Sequence, residues 1–196
     1  MLIVIEGVSD CIGKSTQVKE LYKRLEQDGK EVIYHHFPSY GESSASLVEM
    51  FLNGKLGKRE NINPYAVSTF FAMDRFCVYK NKLERELNNN KIVLLDRYTT
   101  SNMVHQAGKI KDEREEKEDF LDYVSDFEYN KLGLKRPDLV IFLKLDKDAV
   151  NTLRENRDNE SKDVNEKDLN FLDKVYDNSL YVASKYNFII IDCSKD

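Results

Sequence analysis

The first 27 residues constrain the fold more than any other part of the chain. Leu2-Ile3-Val4-Ile5 has the length and the branched aliphatic content of a buried strand. A loop follows, Glu6-Gly7-Val8-Ser9-Asp10-Cys11-Ile12-Gly13-Lys14-Ser15-Thr16, and then Val18, Leu21, Tyr22 and Leu25 recur at helical spacing. That helix should stop near Gly29. A strand passing through a short glycine-bearing loop into an amphipathic helix is the opening unit of an α/β domain. The alternation continues. Val32–Tyr34, Ile92–Leu95, Leu139–Leu143 and Phe188–Ile191 read as further strands of buried type. Between them Val67, Phe70, Phe71 and Val78 mark a long helix, Phe120, Leu121, Val124 and Phe127 another, and Leu169, Leu172, Tyr176, Leu180 and Ala183 a last one. Five such strands separated by helices predict an α/β fold, a five-stranded parallel sheet wrapped by helices. Ligands then belong outside the carboxyl ends of the strands.

Composition narrows the class. At 196 residues the chain suits a single domain, 1–196. No apolar run approaches the ~20 residues of a membrane-spanning helix. The opening MLIVIEGVSD lacks a basic stretch and meets Glu6 early, so it does not read as a signal peptide. Three scattered cysteines supply neither a disulfide framework nor a zinc site. A cytoplasmic protein without membrane association is the expectation. The net charge of -5 argues against nucleic acid as a partner, while leaving room for local basic pockets that hold a small anion.

Gly13-Lys14-Ser15-Thr16 between a strand and a helix has the chemistry of a phosphate-binding loop. Consecutive backbone N–H groups and the helix N-terminus surround an anion, the lysine adds charge, and the hydroxyl can ligate Mg²⁺. The usual spacing has four residues between the glycines, and Gly7 to Gly13 encloses five. Either the loop carries a one-residue bulge or Val8 takes the first glycine's place. Asp96-Arg97-Tyr98 ends the third strand across from this loop, where the acid can hold a metal's water shell and the arginine can take a phosphate. In Phe70-Phe71-Ala72-Met73-Asp74-Arg75, Phe71 and Arg75 are i, i+4 neighbours on one helix face. A ring and a guanidinium so placed can stack a flat base and bond its carbonyl edge. Phe71 reads equally well as plain core. Arg75 on that partly apolar face does not, because an unpaired buried charge is expensive.

Taken in order, these segments resemble the thymidylate (dTMP) kinases, a family of P-loop nucleoside-monophosphate kinases. The resemblance rests on IEG…GKSTQ, Phe37-Pro38-Ser39-Tyr40, Leu52-Asn53-Gly54, FFAMDR, LLDRYTTSN with Gln106 shortly after, Arg136-Pro137-Asp138-Leu139-Val140, and an arginine-bearing segment Leu153-Arg154-Glu155-Asn156-Arg157. It implies transfer of the ATP γ-phosphoryl group to dTMP to give dTDP, Mg²⁺ as cofactor, and a homodimer. Gly7, Gly13, Lys14, Ser15 and Thr16 would hold the ATP phosphates, with Ser15 and Asp96 at the metal. Asp10 would lie near the sugar hydroxyl and the acceptor phosphate. Phe37 and Pro38 would line the dTMP cleft with Tyr40 nearby, Phe71 would stack on thymine, and Arg75 would bond its exocyclic oxygen. Arg97 would grip the dTMP phosphate, and Ser101, Asn102 and Gln106 would face the base. His105 stands where most members carry an aromatic residue near the sugar.

Some family members carry an arginine inside the phosphate loop and others bring one from a lid. Cys11 and Ile12 are neutral, so the charge would have to come from a lid at about 150–165, with Arg154 and Arg157 as candidates and Lys162 as a third. Other phosphate-loop nucleotide kinases, acting on a deoxynucleoside or another nucleoside monophosphate, are the competing enzymes. A nucleotide-binding relative impaired by the lengthened loop is the competing non-enzyme.

Overall fold

The computed structural model describes residues 1–9, 12–110, 114–155 and 169–194, apart from the side chains of 59, 154, 155, 169 and 170. Five parallel strands form one sheet: β1 (Leu2–Gly7), β2 (Val32–His36), β3 (Ile92–Asp96), β4 (Leu139–Lys144) and β5 (Ile189–Asp192). Their spatial order is β2-β3-β1-β4-β5. β1 lies in the middle and every one of its residues is buried. Its alternate side chains serve opposite faces, as the pleat requires. Ile3 and Ile5 join Leu94, Phe142, Tyr176 and Ala183 on one side, while Leu2 and Val4 join Val93, Leu95, Val78 and Leu83 on the other.

Eight α-helices flank the sheet among the described residues: α1 (Lys14–Gln27), α2 (Ser46–Leu52), α3 (Pro64–Val78), α4 (Glu84–Asn88), α5 (Thr99–His105), α6 (Arg114–Ser125), α7 (Lys147–Glu155) and α8 (Leu169–Lys185). α3 starts where local chemistry favours it. The Asn63 side chain accepts from the Tyr65 N–H, and Pro64 occupies a first-turn position that needs no donor. Wide turns at Tyr79–Leu83 and Asp126–Lys131 extend α3 and α6.

All five strands fall where the apolar runs place them, and the long helices where the apolar spacing does. β5 differs in burial. Ile189, Ile190 and Ile191 are 54%, 46% and 46% exposed, because β5 is an edge strand that pairs with β4 alone among the described residues. No helix of the described residues is long and apolar enough to cross a membrane.

Candidate active site

The phosphate loop begins at a glycine that cannot be replaced freely. A Cβ on Gly7 would come within 2.4 Å of Ile12 Cδ1 and 3.1 Å of the Leu143 carbonyl. Val8 is fully buried and packs in the core beside Ile12. The close-packed glycine of the loop is therefore Gly7, and Val8 is a core side chain that does not stand in for it. Gly13 then turns the chain with φ +82° and caps α1, a left-handed conformation that favours glycine. Lys14 is buried, and its ammonium donates to the Ser9 carbonyl at 2.5 Å. Thr16 is exposed at the start of α1. Asp10 and Cys11 lie outside the described residues.

β3 delivers the second half of the site beside this loop. Ile5 pairs with Asp96 in the sheet, so the two strand ends are level. Ser15 Oγ donates to Asp96 Oδ2 at 2.8 Å, and His36 Nδ1 lies 3.3 Å from the same oxygen. Burial alone would raise the Asp96 carboxyl. The hydrogen bonds from His36 and Ser15 and the charge of Lys14 outweigh it and hold the group below the ordinary range. Asp96 Oδ1 is buried with no hydrogen-bond partner among the described residues. A hydroxyl, an ionised carboxylate and a spare oxygen suit a cation that completes its shell with water and phosphate, as Mg²⁺ does. Among the described residues no group of three or more His, Cys, Asp or Glu side chains could hold a metal by itself.

Arg97 takes φ +68°, a region that a residue of its kind rarely adopts. The turn is tied on both sides, with Arg97 N–H on the Ile5 carbonyl and Phe37 N–H on the Asp96 carbonyl. Its Nη1 lies 3.0 Å from His105 Nε2 and 3.7 Å from Glu6 Oε1. Burial first, and the Arg97 charge second, push His105 down to about 3. The imidazole is neutral at pH 7 and accepts from Arg97, an arrangement a phenyl ring cannot make. Glu6 also accepts from Thr100, from the Gly7 N–H and, through a short contact, from Ser101. Ser101 therefore spends its hydroxyl on Glu6, behind the phosphate loop, where the resemblance had implied the base.

Phe71 is partly buried and meets Phe51 edge-on at 6.4 Å between ring centres. Arg75 departs from the argument made on its helix face: it is only 2% exposed and it is paired. Its Nε and Nη2 grip Glu128 at 2.6 and 2.7 Å, so its burial does not require a ligand. Asn102 donates from Nδ2 to Glu128 and to the Ser68 carbonyl. Gln106 is buried, and its Oε1 has no partner among the described residues. Phe37 is a core side chain, packed edge-on to His35 at 4.7 Å and tilted against Tyr98, rather than a wall of an open cleft. Pro38 is buried beside it, after a cis peptide bond. Tyr40 is exposed and stacks near His36.

The structure thus gathers Lys14, Ser15, Asp96, Arg97 and His105 around the ends of β1 and β3, and Arg75 with Asn102 on α3 and α5. Arg154 falls in the last turn of α7, its side chain among those not described, and Arg157 and Lys162 lie outside the described residues. Sequence reasoning missed Glu6, His36, Thr99 and Glu128. A signal existed for Glu128. It falls at i+4 from Val124 and i+7 from Leu121, on the apolar stripe of its own helix, just as Arg75 falls on that of α3. Opposite charges on two apolar stripes are candidates for one buried pair.

The family model described as thymidylate kinase matches residues 5–196. A thymidylate kinase of Mycobacterium tuberculosis is 33% identical over 144 residues, 73% of this chain; the matched stretch spans 65% of that relative's length. A probable thymidylate kinase of Methanocaldococcus jannaschii is 33% identical over 195 residues, which covers 100% of this chain and 88% of the relative. Among solved structures, a thymidylate kinase from Candida albicans superposes with a TM-score of 0.73 at 24% identity over 97% of this chain and 82% of that one, a likeness of fold. A match that runs from the phosphate loop to the last strand leaves one conclusion: the chain belongs to the thymidylate kinase family.

Proposed function

We propose that the chain is an ATP-dependent dTMP kinase, transferring the γ-phosphoryl group of ATP to the dTMP phosphate to give dTDP. The observation that carries this reading is the presence of two cationic stations side by side. Lys14 with the Ser15–Asp96 pair suits the donor phosphates, and Arg97 stands ready for a second phosphate across from them. A kinase acting on a nucleoside would need only the first. The base side supports a pyrimidine, with Phe71 for stacking and Arg75 and Asn102 for the polar edge.

The chemistry asks for positioning and charge more than for covalent help. Arg97 holds the acceptor phosphate with an oxygen in line with the γ-phosphorus. Lys14 spans the donor phosphates and offsets charge that spreads over the transferring group. Bound at Ser15 and Asp96, Mg²⁺ would neutralise phosphate charge in the transition state. A lid arginine, Arg157 or Arg154, supplies the cation that Cys11 and Ile12 do not. The setting proposed is the cytoplasm, and the assembly a homodimer.

The test is turnover with ATP and Mg²⁺ on dTMP, dUMP, UMP and thymidine in parallel. dTMP is expected to have the highest kcat/KM and thymidine none. Phosphorylation of thymidine would move the chain to the nucleoside kinases, and no turnover with any acceptor would favour a binding protein impaired by the longer loop.

A further inference from the structure

We infer that Glu128 determines which pyrimidine the site accepts, by setting the polarity of the two groups that read the base edge. This rests on the reading above that Arg75 and Asn102 meet the base; what Glu128 adds is the reason they present one pattern and not its mirror.

Glu128 is 1% exposed and receives four donors. Oε2 takes Arg75 Nε at 2.6 Å and Thr99 Oγ1 at 2.9 Å. Oε1 takes Arg75 Nη2 at 2.7 Å and Asn102 Nδ2 at 2.8 Å. Two donors per oxygen leave the carboxylate no freedom to turn. The consequence for Asn102 is chemical. The neighbours of its amide on this side are the Glu128 carboxylate and the Ser68 carbonyl at 2.9 Å, and both can only accept. The NH₂ must face them, and the Oδ1, which meets no donor among the described residues, is left as an acceptor. The consequence for Arg75 is the complement. With Nε and Nη2 committed, Nη1 has no protein acceptor among the described residues and is left as a donor.

A fixed donor beside a fixed acceptor matches a ring that offers a carbonyl oxygen next to an N–H, the 4-oxo, 3-NH edge of thymine or uracil. A 4-amino, unprotonated-N3 ring offers the reverse, a donor against Arg75 and an acceptor against Asn102. A site built to hydrogen-bond one pattern rejects the other strongly, because its own buried groups are then left unpaired. Glu128 touches no substrate in this scheme. It is a positioning residue acting through both readers at once.

The experiment compares dTMP with 5-methyl-dCMP, which keeps the methyl group, sugar and phosphate and inverts only the 3,4-edge. Wild type should prefer dTMP by on the order of 10³ in kcat/KM. In Glu128→Gln one oxygen becomes NH₂ and confronts two donors, so Asn102 is freed to turn and the guanidinium to tilt. The preference should fall tenfold or more, through a raised KM for dTMP and a lowered one for 5-methyl-dCMP, with the KM for ATP unchanged. Should Glu128→Gln not fold, Thr99→Val removes one of the four donors and should lower the same ratio severalfold, and Glu128→Asp should give an intermediate ratio. A ratio unchanged in variants that remain folded overturns the inference while leaving dTMP kinase activity intact. A wild type that turns over both substrates alike overturns it too. A wild type inactive on dTMP overturns the functional reading itself.

Discussion

Two buried glutamates each hold an arginine, and they hold it differently. Glu128 grips Arg75 through two hydrogen bonds at 2.6 and 2.7 Å, with both side chains buried. Glu6, equally buried, spends its oxygens on Thr100, Ser101 and the Gly7 N–H, and stands 3.7 Å from Arg97 Nη1. That nitrogen shares its proton with the neutral His105 instead. An arginine that must present a flat pattern to a ring gains from being immobile. An arginine that must follow a phosphate through a reaction needs a charge near enough to offset its partial burial, yet too loosely placed to compete with the substrate.

The comparison can be broken by measuring stability and activity on the same variants. Arg75→Ala should have the largest effect, because it strands a buried carboxylate at a cost of about 3–5 kcal/mol. Its melting temperature should drop by roughly 6–20 °C, together with weakened dTMP binding and unaltered ATP affinity, read by thermal unfolding and isothermal titration. Arg97→Ala should do the opposite. Its kcat/KM for dTMP should fall by about 10²–10³ for loss of a charged phosphate contact, while its melting temperature stays within a few degrees of wild type, since Glu6 keeps its three other donors. If the two variants lost stability equally, the distinction between an arginine hydrogen-bonded twice to its glutamate and one standing 3.7 Å from it would be wrong.

His105 sharpens the loose side. Its folded pKa, about 3, lies below the ordinary value of 6.5, so the unfolded chain binds a proton that the folded chain refuses. Stability from this source is complete above about pH 6.5 and is lost as the pH falls toward 3. Near pH 5 the loss should be about 1–2 kcal/mol relative to pH 7, the smallest of the three effects. His105→Phe should flatten that slope in urea unfolding at pH 7, 6 and 5. A slope left as steep as in wild type would place the acid sensitivity in another group.

What the sequence disclosed follows from the range of the interactions involved. The turn from β1 into α1 was readable because its chemistry is local: Gly7, Gly13, Lys14 and Ser15 lie within nine consecutive residues. Asp96 and Arg97 were readable because strand ends in a parallel sheet converge on one edge. Arg75 stood out as an anomaly on an apolar face, but its partner is 53 residues away and a buried carboxylate is spelled like an exposed one. Ser101 and Phe37 illustrate the converse. Adjacent positions on a motif point to different neighbours once the backbone turns, so Asn102 goes to Glu128 while Ser101 goes to Glu6, and Phe37 turns into the core beside exposed Tyr40. The short helices α2, α4 and α5 escaped periodicity because five to seven residues barely repeat a helical face.

The pairing of Ile5 with Asp96 makes the ladder between β1 and β3 a measuring device for the chemistry. A slip of one residue would carry the carboxylate about 3.3 Å along the strand and turn it to the other face of the sheet, away from Ser15. Length in β3 is therefore counted residue by residue. An added residue within β3 would break that register, whereas one in a turn outside the paired strands would leave it intact. Drift in chain length across such enzymes should accordingly gather at the turns and leave the spacing of β3 untouched.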